Sequence, residues 1–170
     1  GKRRAQVHDI WRGSKKDSML YIRSLDGMQQ DSFPAVSDFG FAQKGNVLYA
    51  VSDSVLYTYI PQKGNNRISD KKGVFKKIAF NENGSKLAYL FCSHKDSAAT
   101  RSSLYLAENN TPGKLIAERG DKAFPASWII SENAALYFSE NASRLFFGTA
   151  PEPKQKDTTL LAENRPDVQV

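Results

Sequence analysis

Phe80-Asn-Glu-Asn-Gly84-Ser-Lys-Leu-Ala-Tyr89 decides how this chain is to be read, because the phrase occurs three times. The other copies are Phe41-Ala-Gln-Lys-Gly45-Asn-Val-Leu-Tyr49 and Phe138-Ser-Glu-Asn-Ala142-Ser-Arg-Leu-Phe-Phe147. Each reads as a strand, a polar turn and a second strand, and repetition at a period of tens of residues marks blades, solenoids or arrays. Gly45 and Gly84 stand where such a turn needs a left-handed backbone, which glycine adopts without steric cost. Ala142 holds that place in the third copy, so local strain or another turn type is expected there.

Strand signals continue on either side of the phrases. Met19-Leu-Tyr-Ile-Arg-Ser-Leu25, Val55-Leu-Tyr-Thr-Tyr-Ile60 and Ser103-Leu-Tyr-Leu-Ala107 are short, aromatic and β-branched, and each runs into a turn-prone cluster. Those clusters are Asp26-Gly27, Pro61-Gln-Lys-Gly64 and Asn109-Asn-Thr-Pro-Gly113, where Gly and Asn supply positive φ and Pro presets φ. No window of about eleven residues sustains a helical apolar period. The fold class expected is all-β, a partial β-propeller of about three four-stranded antiparallel blades.

The expected organisation is a flexible lead segment, 1–18, followed by blade pieces at about 19–36, 38–70, 74–119 and 124–170. Lettered outward from the hub, the second piece has strands at 38–45, 46–52, 54–60 and about 66–70, and the third at 74–80, 86–92, 103–108 and 114–118. In Lys86-Leu-Ala-Tyr-Leu-Phe-Cys92 nearly every position is apolar, as in a strand covered on both faces by neighbouring sheets. The end pieces are incomplete: 19–33 reads as a third and fourth strand, 134–149 as a first and second, and 167–170 as the start of a third. The stretch 151–166 is a charged connecting loop. Unpaired edges invite pairing, so 19–33 and 134–149 are expected to meet, within one chain or by edge-strand exchange in a homodimer.

Composition excludes some classes of function. At 170 residues, 40% hydrophobic and 25% charged, the chain is long enough for a globular core and contains no run of the roughly 20 apolar residues that a membrane-spanning helix needs. The formal net charge of +6 raises nucleic-acid binding. However, apart from Lys2-Arg3-Arg4 the basic residues come in pairs with acids interspersed, rather than gathered along one element, and no nucleic-acid partner is expected. Cys92 is the single cysteine, which rules out an internal disulfide.

No chemistry-bearing constellation assembles from spacing, and the expectation is no catalytic, metal or cofactor residue. His8 and His94 are far apart, with no second ligand at metal spacing. Cys92 ends an apolar strand and reads as a small buried hydrophobe. Glu132, Glu140, Glu152 and Glu163 offer carboxylates, yet nothing fixes two of them a few Å apart as acid/base hydrolysis of a glycosidic bond requires. Most of the ten Phe and seven Tyr lie inside strand phrases and read as core. Trp11 and Trp128 are the exceptions; Trp128 either lines a central channel or staples one blade to the next.

The run 138–151, followed by Pro153-Lys-Gln-Lys-Asp-Thr-Thr159 and Pro166-Asp-Val-Gln-Val170, resembles the N-terminal β-propeller of bacterial prolyl oligopeptidase-like serine peptidases. Trp128-Ile-Ile-Ser-Glu-Asn133 is similar to the same propellers. The resemblance covers about 38–170 and is most specific over 124–170. It implies an exported parent protein, periplasmic or extracellular, in which the propeller caps an α/β-hydrolase domain carrying a Ser-Asp-His triad and filters peptide substrates by size. The chain departs from the full plan, because it has no Gly-x-Ser-x-Gly nucleophile elbow, and no catalytic residue carries over. The function expected is therefore a non-catalytic fragment whose partners are the parent's hydrolase domain and peptide substrates. The rival expectation is a stand-alone propeller-like interaction module of the cell envelope.

Overall fold

Each copy of the repeated phrase folds as a hairpin, closed by a backbone bond across its turn: Ala42 N to Val47 O at 3.1 Å, Asn81 N to Lys86 O at 3.0 Å and Ser139 N to Arg144 O at 2.9 Å. The computed structural model describes residues 5–6, 18–24, 30–93 and 102–153, and every regular element among them is a strand. In chain order these are β1 (Ala5–Gln6), β2 (Met19–Arg23), β3 (Gln30–Pro34), β4 (Val36–Phe41), β5 (Leu48–Ser52), β6 (Val55–Ile60), β7 (Gly64–Arg67) and β8 (Val74–Phe80). There follow β9 (Lys86–Cys92), β10 (Ser103–Glu108), β11 (Lys114–Ala117), β12 (Trp128–Ile130), β13 (Tyr137–Phe138), β14 (Leu145–Phe146) and β15 (Thr149–Pro151).

Two complete four-stranded antiparallel meanders, β4-β5-β6-β7 and β8-β9-β10-β11, form the middle of the structure. A three-stranded sheet, β1-β2-β3, precedes them, and the two-stranded ladders β12-β15 and β13-β14 follow. The strand β1 brings residues 5–6 of the lead segment into the first sheet, with Ala5 opposite Ile22. The fold is thus all-β, with successive antiparallel sheets.

Side-chain alternation along each strand shows how the sheets are stacked. On β5, Leu48 and Ala50 pack with Leu20 and Phe33 of the first sheet, while Val51 packs with Phe75, Leu87 and Phe91 of the third. On β9, Leu87, Tyr89 and Phe91 turn back towards β4–β7, and Leu90 turns forward to join Leu104, Ala117 and Ile130. Three apolar interiors therefore lie between consecutive sheets, and β9 is buried on both faces as its sequence requires. Each fully buried Leu or Phe contributes about 1.5–3 kcal/mol relative to exposure.

The phrase turns also touch in sequence. Lys44 N donates to Glu82 O at 2.6 Å and its ammonium pairs with Glu82 at 2.5 Å, while Lys86 Nζ donates to Ala142 O at 3.1 Å. Gly84 and Ala142 share one turn geometry, with φ of 77° and 54° and closing bonds of 3.0 Å from Gly84 N to Asn81 O and 2.8 Å from Ala142 N to Ser139 O. Asn83 and Asn141 each accept from the backbone N–H two residues on, that of Ser85 at 2.9 Å and that of Ser143 at 3.1 Å. Of the two expectations for Ala142, the strained backbone is the one realised.

Some details differ from the sequence reading. The outermost strand of the second sheet is Gly64–Arg67 rather than about 66–70: Lys63 N bonds Ile60 O at 3.0 Å and Gln62 has φ 69°, so the chain reverses within three residues of Ile60. Ile68 then leaves the sheet for the interior, its N–H bonded to Leu56 O at 2.9 Å. Nor do the described residues of 19–33 and 134–149 pair with each other within the chain. β2 and β3 belong to the first sheet alone and β13 and β14 pair only with each other, so no ladder joins the first sheet to the last among the described residues.

Candidate functional site

The connection from β11 to β12 is the longest between consecutive sheets that the structure describes in full, and it is tightly organised. Consecutive turns are closed by Asp121 N to Glu118 O at 3.2 Å, Phe124 N to Asp121 O at 3.0 Å and Trp128 N to Pro125 O at 3.1 Å. Asp121 Oδ1 accepts from Ala123 N at 3.0 Å, a side-chain turn that fixes the carboxylate against its own backbone. Ser127 is held at φ 63°, and its carbonyl accepts from Glu152 N at 2.8 Å just beyond β15. Arg119 Nη2 donates to Glu152 Oε2 at 2.6 Å and ties the other end of the loop to the same residue.

A cleft of about 570 Å³ opens over this loop, lined by Arg119, Asp121, Lys122, Phe124, Pro125 and Trp128 among others. Its volume falls in the range of about 300–1,000 Å³ usual for small-molecule pockets. Phe124 joins it to the third interior, packing on Phe147 with ring centroids 6.1 Å apart. Trp128, half-buried at the start of β12 opposite Pro151, is among the residues that line this cleft. The lining combines two cations, one carboxylate, a hydroxyl and two aromatic rings, but holds no His or Cys. Such a surface can bind and orient a ligand; its one hydroxyl, Ser127, is not hydrogen-bonded to Asp121, whose carboxylate accepts from its own loop backbone instead.

Among the described residues, the carboxylates singled out from the sequence have separate surroundings. Glu132 reaches from the C-terminal ladders to the third sheet, where Lys76 of β8 and Ser102 Oγ, at 2.7 Å, both donate to it. Partial burial opposes its charge, but the hydrogen bonds from Lys76 and Ser102 and the charge of Lys76 outweigh that and hold the carboxyl below the usual range. Glu152 is engaged by Arg119, and Glu140 is exposed on the third phrase turn. Cys92 is half-buried at the end of β9, its thiol 3.6 Å from the Ser93 carbonyl. Glu163, His8, His94 and Trp11 lie outside the described residues. Among the described residues, no group of three or more His, Cys, Asp and Glu is placed to hold a metal ion.

Two phenols titrate abnormally for structural reasons. Burial, then the neighbouring Asp38 that its hydroxyl faces at 3.4 Å, pushes Tyr49 up to about 12. Burial, then Tyr105 and Asp70, raises Tyr89, whose ring stacks on Tyr105 at 5.4 Å. Both belong to the packing between the second and third sheets, and neither lines the cleft. The cleft itself was not visible in the sequence, because its loop has no periodicity.

No protein-family profile matches the chain, and no curated protein matches it. Among solved structures, its backbone is similar to that in the crystal structure of the tricorn protease, with a TM-score of 0.51 at 15% sequence identity, over 79% of this chain. The chain spans 13% of the length of that protein. At this identity the likeness is one of fold, and it agrees with the succession of antiparallel sheets.

Proposed function

We propose that this chain is a non-catalytic portion of a β-propeller within a larger, peptidase-related protein, and that it acts by steering peptides rather than by cleaving them. The observation that carries the reading is the stack of antiparallel sheets whose backbone resembles part of the tricorn protease over most of the chain. Assignment to the prolyl oligopeptidase-like peptidases rests on the sequence resemblance over 124–170, and with it the role of capping a hydrolase domain and admitting only short peptides. Binding without chemistry also fits the cleft, which offers aromatic and charged groups but no nucleophile paired with a base.

The test uses the full-length product of the gene. Peptides of increasing length are offered to the intact protein and to a version lacking residues 1–170, and hydrolysis is followed by mass spectrometry. The intact protein is expected to cleave short peptides and discriminate against long ones, and the truncated version to lose that discrimination. Hydrolysis by the isolated 170-residue chain, or a full-length protein without peptidase activity, overturns the reading.

A further inference from the structure

The three phrase copies place an equivalent cross-strand pair on the same face of three successive sheets: Gly40 with Tyr49, Ala79 with Ala88, and Tyr137 with Phe146. That face looks towards the following sheet. Tyr49 meets Phe80 of the third sheet at 5.9 Å between ring centroids, and Ala88, in the same position one sheet later, has no solvent exposure. Leu145 and Phe147 point back into the third interior, so Phe146 between them points forward. There it stacks on Tyr137 at 5.0 Å, and the two rings remain 41% and 54% exposed.

We infer that the Tyr137–Phe146 face is a sheet-docking surface, covered in the parent protein by a further antiparallel β-sheet from polypeptide downstream of residue 170. The inference rests on the reading of this chain as part of a longer protein. The chain's own construction names the occupant: at both earlier positions this face is covered by the next sheet in sequence, and at the third no sheet covers it among the described residues. Large exposed aromatic pairs are costly to leave in water and mark interaction sites. Sheets pack at a nearly constant separation of about 10 Å, so the bulk of Tyr137 and Phe146 calls for small side chains opposite them.

Hydroxyl-radical footprinting read by mass spectrometry tests this on two proteins: the 170-residue chain and the full-length gene product. Oxidation of Tyr137 and Phe146 is expected to be extensive in the short chain and at least about threefold lower in the long one, normalised to the half-buried Tyr57. Phe146→Asp in the full-length protein is expected to restore labelling at Tyr137, while leaving the unfolding midpoint of the short chain unchanged. Equal oxidation in the two proteins overturns the inference. So does protection that rises with the concentration of the short chain, which would assign the face to a second copy, and so does a reading frame that stops at Val170. Footprinting reports burial whether or not the long protein cleaves peptides, so it separates this inference from the proposed function.

Discussion

At Gly84 the phrase turn is wedged against the preceding copy, where an added Cβ would strike Val47 Cγ1 and lie 2.9 Å from Ala42 Cβ; at Ala142 the same turn carries a methyl group in the same left-handed conformation. Their closing backbone bonds and the bonds to Asn83 and Asn141 correspond. The difference therefore separates two reasons for glycine that are usually confounded. A left-handed backbone alone costs a residue with a side chain about 1–2 kcal/mol, which the third hairpin tolerates. What differs is the residue that the preceding copy sets against the turn: Val47 stands where a Cβ at position 84 would go, whereas its counterpart Lys86 reaches past the methyl group to the Ala142 carbonyl, and the Val47 contact is the second reason for glycine at position 84.

The sharpest way to break this comparison is Gly84→Ala. It combines the backbone cost with a clash against Val47 and Ala42, and is expected to lower stability by about 3 kcal/mol in urea unfolding. A loss below about 1 kcal/mol would mean that the neighbouring copy moves aside and that the two turns are equivalent. Glu132→Ala asks whether the C-terminal ladders hang on the third sheet by their polar bridge. Leaving buried Ser102 without its acceptor and the exposed Lys76 without its partner is expected to cost about 2 kcal/mol by the same measurement.

That bridge carries a pH signature. The Glu132 carboxyl is held below its ordinary range, so its contribution is fully present above that range and is lost as the pH falls through the lowered value. Glu132→Gln is expected to flatten the acid limb of the stability profile. An unchanged limb would show that Lys76 and Ser102 do not favour the charged form.

Two smaller effects refine the turn comparison. Ala142→Gly relieves the left-handed strain at the expense of a freer unfolded chain, and is expected to raise stability by about 0.5–1 kcal/mol. No gain would imply that the third turn carries no strain. Lys44→Ala removes only the exposed ion pair with Glu82, leaving the backbone bond between the turns, and should change stability by less than about 0.5 kcal/mol.

What the sequence made legible follows from period and repetition. Val74–Phe80, Lys86–Cys92 and Ser103–Glu108 could be bounded in advance because each is a run of six or seven residues rich in apolar and aromatic side chains and flanked by polar turn residues. Gly64–Arg67 could not, since Gly-Asn-Asn-Arg has no apolar pattern and owes its place to the Pro61–Lys63 reversal. The ladder of Trp128–Ile130 with Thr149–Pro151 was equally hidden, because three residues are too few to show a period and the partner lies beyond an intervening hairpin. The cleft depends on where a patternless loop is pinned by Arg119, Ser127 and Glu152, which only tertiary structure decides.

The alternation on β5 and β9 has a consequence for how such a molecule can diversify. Because odd and even positions of one strand serve two separate interiors, one inserted residue would exchange the contents of both at once. Length variation is thereby excluded from the middle strands and confined to connections such as 118–127. Lineages built this way are expected to change by duplicating or discarding whole hairpin sets, while their strands drift only by substitution.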